Sequence, residues 1–258
     1  MARNTDWTHD QHVLAFHLYC QIPFGKIHQG NPRIIELASL IGRTPSAVGF
    51  KLSNFARLDP VHQARGVTGL THGAHGEEDV WKEFNGNWER LAQLAATLIA
   101  QLKAEPLEAT VPLMPWEKKL TGKEREALVM IRVNQRFFRS SVLAVFDYRC
   151  CITGLTEVEL LTASHIIPWS VDTQNRVNPQ NGLCLNTLHD RAFDRGLLTV
   201  TPEMKVKISP ILLRKEKDAA IEHHFTPYEG IIIPTPPHFA PASEFLSYHN
   251  KHIFRNDN

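Results

Sequence analysis

The sequence predicts an α+β chain in two parts, a helical N-terminal part and a mixed C-terminal part, on three observations. Up to about residue 105 apolar residues recur at helical spacing, as in Val80, Phe84, Trp88, Leu91, Leu94 and Leu98. Pro106, Pro112 and Pro115 then follow closely, which breaks helix and favours extended backbone. Beyond them short β-rich runs such as LLTASHII, LLTV and MKVKI alternate with helical segments. These place a first domain at 1–110, a linker at 111–122 and a second domain at 123–258.

In the first domain, Trp7-Thr8 with Asp10 starts a helix through VLAFHLYC, stopped by Pro23 and Gly25. A second helix, RIIELASLI, has Pro32 in its first turn and runs to Gly42. A third extends from Ser46 to about Phe55. The stretch EEDVWKEFNGNWERLAQLAATLIAQLKAE reads as one long helix whose aromatic residues belong to the core. The second domain opens with a helix from Lys123 to Phe146. A β-hairpin through CCITGLTEVELLTASHII, turning at Thr153-Gly154, comes next. Then follow a loop, a helix from about Cys184 to Phe193, one or two short strands within Leu197 to Ile208, and an amphipathic helix in the tail.

At 43% hydrophobic, the chain can bury a sizeable core. With 28 Lys and Arg against 27 Asp and Glu, net charge says nothing for or against nucleic acid, so only a local patch can argue for it. No apolar run reaches the ~18 residues of a membrane span. MARNTDWTHDQH has no signal-peptide core, so a cytoplasmic protein without membrane partners is expected. Cys20, Cys150, Cys151 and Cys184 include no C-x-x-C pair, so neither a disulfide framework nor a structural zinc is expected.

The residues with chemistry are His165 at the end of a strand, Asn181 in the following loop and His189 on the next helix. Such a set suits phosphodiester cleavage. A neutral imidazole near its free pKa of ~6.5 takes a proton from water. A divalent metal on the helix histidine polarises the phosphate and supports the departing oxygen. The asparagine amide pins the loop so that the base points at the water.

Four blocks make this specific: CITG at Cys151 to Gly154, SHIIPW at Ser164 to Trp169, NGLCL at Asn181 to Leu185, and LHDRAFDRG at Leu188 to Gly196. From about Val142 to Val200 the chain resembles the HNH nucleases, the ββα-metal fold, in a subgroup without zinc-binding cysteines. The resemblance implies that His165 is the general base, Asn181 the loop-fixing residue and His189 a metal ligand. Asp194 would be a second ligand or an orienting partner, with Mg²⁺ or Mn²⁺ as the metal and 5′-phosphate and 3′-hydroxyl ends as products. Many members place an aspartate or histidine before the base; here it is Ser164, so water and phosphate must supply more of the metal shell. Asp190, one turn before Asp194, reads as a solvated helix charge.

Two segments suggest contacts to double-stranded DNA. Arg132, Arg136 and Arg139 share one helix face beside the nuclease blocks and suit a phosphate track. The resemblance includes a Q-x-x-F-R element at Gln135 to Arg139. Lys205, Lys207, Arg214, Lys215 and Lys217 are weaker candidates to extend it. In the first domain, Ala38, Gly42 and Val48 have the spacing of a helix-turn-helix in a winged-helix-like domain. There Arg43, Thr44, Ser46, Lys51 and Asn54 are expected to face DNA, with Ser53 a further polar candidate. The composite resembles restriction endonucleases, including those that act on methylated adenine or cytosine, and double-strand cutting would require a homodimer at least on DNA. The rivals are a DNA-binding regulator with a vestigial nuclease domain and a homing or toxin-type nuclease.

Overall fold

The structure is a computed structural model that describes residues 6–64, 75–111, 113–214 and 218–256. Pro112, Lys215 and Lys217, which figured in the expectations above, lie outside the described residues. The chain forms two compact units, Met1–Ser140 and Ser141–Asn258. Their division falls within helix α7 (Gly122–Val145), and the stretch expected as a linker, 111–122, lies inside the first unit. Val111 and Glu117 are buried there, while Met114 and Trp116 are exposed.

The first unit contains α1 (His9–Tyr19), α2 (Pro32–Leu40), α3 (Pro45–Leu58), α4 (Pro60–Ala64), α5 (His75–Phe84) and α6 (Trp88–Lys103). Thr8 caps α1 through a reciprocal pair with Gln11, and Asn31 and Thr44 cap α2 and α3 ahead of prolines in the first turn. The single long helix expected after residue 77 is two helices. Gly86 sits at φ +93 between Phe84 and Trp88, a backbone state that interrupts the helix and that glycine tolerates. The core gathers around Phe16, whose ring lies 4.9 Å from Phe55 and 5.3 Å from Trp81.

The three positions read as a helix-turn-helix signal fall in α2, in the turn after it and in α3. Ala38 and Val48 are fully buried where the helices meet, and Gly42 turns the chain at φ +66. Among the described residues this unit has no strand.

In the second unit, strand β1 (Leu161–His165) pairs antiparallel with β2 (Gly182–Asn186), His165 opposite Gly182 and Leu161 opposite Asn186. Helix α8 (Thr187–Asp194) follows directly and packs on both strands. The order is strand, long connection, strand, helix. Two expectations are corrected here. The partner of β1 is β2 rather than the segment before it, which forms a turn at Cys150 to Gly154 closed by Gly154 N–H donating to the Cys150 carbonyl at 2.9 Å. Cys184 lies in β2, and the helix starts only after the Asn186 side chain accepts from His189 N–H at 2.8 Å.

Strands β3 (Leu198–Val200) and β4 (Val206–Ile208) make a second antiparallel pair. Short helices α9 (Pro210–Leu213) and α10 (Ala219–His224) lead to α11 (Ser243–His252). His249 of α11 stacks on Phe193 of α8, centroids 3.7 Å apart, and ties the tail to the nuclease helix. No helix among the described residues is long and apolar enough to cross a membrane.

Candidate active site

A cleft beside β1 and α8 is lined by Ser164, His165, Pro168 and Trp169 from the strand and its exit, and by Asp190, Arg191, Asp194 and Arg195 from the helix. His165 is half-buried, and its Nε2 lies 2.9 Å from the Arg176 carbonyl. A carbonyl only accepts, so Nε2 carries the proton and the lone pair resides on Nδ1. Burial lowers the His165 pKa, with the Arg176 carbonyl pulling weakly the other way, so the ring is neutral at neutral pH. The Trp169 ring meets it edge-on at 5.6 Å, and the Arg176 guanidinium lies over that indole.

Asn181 is fully buried and holds the turn after β1 from both sides. Its Oδ1 accepts from Ile167 N–H at 2.8 Å, while Nδ2 donates to the carbonyls of Ile167 and Asn175, each at 3.2 Å. Its own carbonyl accepts from Ile166 N–H at 3.0 Å. The side chain touches no reacting group; it fixes the backbone that leaves His165.

His189, expected as a metal ligand, is not among the residues that line the cleft. The side chain is buried, Nε2 donates to the His224 carbonyl at 2.7 Å, and the ring packs against Phe225 and Tyr228. It also meets Cys150. Burial pushes that thiol up, but hydrogen bonding to His189 and Thr153 brings it down to about 7.

The helix presents Asp190 and Asp194 instead, one turn apart on the cleft face. Asp190 is therefore no solvated helix charge. Burial raises its pKa, the Ser164 hydroxyl lowers it by hydrogen bonding, and Asp194 raises it again. Asp194 is raised by burial and moderated by Arg191 and Arg195. Ser164, standing where an acidic ligand was expected, is buried and lines the same cleft. Among the described residues no three His, Cys, Asp or Glu side chains cluster as metal ligands. Two neighbouring carboxylates that resist ionisation together nevertheless fit a hard divalent cation, with water and phosphate completing its shell.

Residues 150–201 match the family model described as HNH endonuclease. The C-terminal unit carries an HNH endonuclease domain. No curated protein matches the chain. The matched segment of the HNH domain contains both strands, α8 and every cleft residue named above.

The positions expected to contact DNA are scattered. Arg132 is engaged by the buried Glu117 carboxylate and by Gln135, Arg136 donates to the Thr110 carbonyl, and Arg139 is exposed. Two of the three guanidiniums thus serve the first unit's own structure. In α3, Lys51 and Asn54 are buried and both bond Glu77 Oε1, at 2.6 and 2.9 Å. That is the inward face of α3, not a DNA-facing one. Arg43 is drawn to Gln11 at 2.9 Å and lies over Trp7, while Thr44 caps α3. Ser46 and Ser53 remain on the outer face.

Sequence reasoning passed over Arg191 and Arg195, both exposed at the cleft. The available signal was their spacing, which repeats that of Asp190 and Asp194 one residue on.

Proposed function

We propose that the protein is a metal-dependent DNA endonuclease whose working groups are His165, Asp190 and Asp194. The observation that carries this reading is one cleft holding a neutral imidazole with a fixed tautomer opposite a carboxylate pair. His165 Nδ1 takes the proton from water as the water attacks phosphorus. The Arg176 carbonyl on Nε2 keeps the ring oriented and stabilises the imidazolium that forms. Asp190 and Asp194 would hold a Mg²⁺ or Mn²⁺ ion, whose chemistry is to neutralise phosphate charge and support the leaving oxygen. Arg191 and Arg195 suit the phosphates flanking the cut, and Asn181 is a positioning residue. The products are then 5′-phosphate and 3′-hydroxyl ends.

The finer reading is a restriction-type enzyme that cuts duplex DNA as a homodimer, with the first unit as reader. It is supported by the α2-turn-α3 geometry, with Ser46 and Ser53 on the exposed face of α3. The test is cleavage of supercoiled plasmid, unmethylated or methylated at adenine or cytosine, in Mg²⁺, Mn²⁺ or EDTA. Cutting only with metal is expected; cutting in EDTA refutes the carboxylate assignment. Equal rates on all three plasmids remove dependence on modified bases.

A further inference from the structure

The first unit contains a cavity of about 370 Å³ for which the nuclease chemistry has no use. That volume lies in the range of small-molecule sites. Its walls come from α1, α2, α6 and α7. Its lining is aliphatic at Leu14, Leu37, Ile99 and Val133 and polar at His17, Arg33 and Arg136.

Both guanidiniums are fixed by neutral acceptors. Arg33 donates to the Gln21 carbonyl at 2.6 Å and to Gln21 Oε1 at 2.8 Å, and Arg136 donates to the Thr110 carbonyl. Among the described residues neither forms an ion pair with a carboxylate. Of the acids on the rim, Glu36 is engaged by Lys103 at 3.2 Å and Glu105 is exposed. His17 stacks on Phe137, centroids 5.2 Å apart. Burial drives its pKa down to about 3, and Arg33 and Arg136 push it the same way. At neutral pH the polar lining therefore holds two fixed cations about an uncharged ring. Arg33 is half-buried and Arg136 exposed, and two fixed guanidiniums beside aliphatic lining favour an anionic group through charge-assisted hydrogen bonds.

We propose that this cavity binds a small amphipathic anion, its carboxylate or phosphate monoester taken by Arg33 and Arg136 and its hydrocarbon body by the aliphatic lining. The inference is independent of the nuclease assignment. Calorimetric titration of the full chain with hexanoate, hexyl phosphate and 1-hexanol tests it. At least one anion binds with Kd below about 1 mM, and the alcohol binds at least about tenfold more weakly, as expected for loss of a charge-assisted hydrogen bond. The tighter head group tells carboxylate from phosphate. Arg136→Gln, at an exposed position, weakens the anion at least about tenfold, and Ala96→Phe, which fills the cavity, removes binding. Should Ala96→Phe fail to fold, Arg136→Gln decides alone. Binding of neither anion, equal binding of hexanol, or an anion affinity unchanged in Arg136→Gln overturns the proposal.

Discussion

Replacing Asn181 with alanine should release the turn that carries His165. Three side-chain hydrogen bonds disappear, and the Ile167 N–H, in a buried residue, loses its acceptor. A stranded buried donor costs about 1–3 kcal/mol, and each remaining bond is worth about 0.5–1.5 kcal/mol. The expected loss is therefore on the order of 3 kcal/mol. Asn181→Asp keeps an acceptor for Ile167 N–H but sets carboxylate oxygen against two carbonyls, so it should cost at least as much. Urea unfolding followed by circular dichroism measures the change, and plasmid cleavage under conditions where the variant remains folded measures its effect on the base. A displacement of about 1 Å at a catalytic group is worth about 10²-fold in rate. A stability loss below about 0.5 kcal/mol in Asn181→Ala, together with wild-type cutting, would refute the reasoning.

Other outcomes follow from the same geometry. Gly196→Ala should destabilise the second unit by more than about 2 kcal/mol in thermal unfolding, because the residue sits at φ +66 and its new Cβ would lie 2.0 Å from the Ile253 carbonyl oxygen. Lys51→Met leaves the buried Glu77 carboxylate without its cation and should cost about 3–5 kcal/mol, with the double variant Lys51→Met/Glu77→Gln recovering part of it by urea unfolding. Burial lowers the His249 pKa to about 4 from the ordinary 6.5, so the unfolded chain binds more protons between those values. Stability should then fall as pH drops from about 6.5 towards 4, by roughly 3 kcal/mol for this group, and His249→Gln should flatten that slope in pH-dependent denaturation.

What was legible in the sequence divides along physical lines. His165 and Asn181 could be placed because each ends or opens a short strand, where block order fixes position to within a residue. The choice between His189 and Asp190 could not, because neighbours on a helix point about 100° apart. Which of them meets the cleft depends on how α8 seats on β1 and β2, and on a carbonyl supplied by His224, far along the chain. Lys51 and Asn54 looked like surface residues for the same reason. The acid that draws them inward, Glu77, belongs to another helix, and no local pattern announces it. The split of α5 from α6 was written in Asn85-Gly86-Asn87, but aromatic periodicity on both sides masked it. In the stretch expected as a linker, prolines disfavour helix, yet they do not stop Val111 and Glu117 from being buried.

The central claim is that His165 is the base and that carboxylates, not His189, face the cation. The most direct test is the single-turnover rate of plasmid cleavage in Mg²⁺ by His165→Ala, with folding checked by circular dichroism. A folded variant that still binds DNA and cuts about 10² to 10⁴-fold more slowly is the predicted result. Cutting at the wild-type rate would contradict the account.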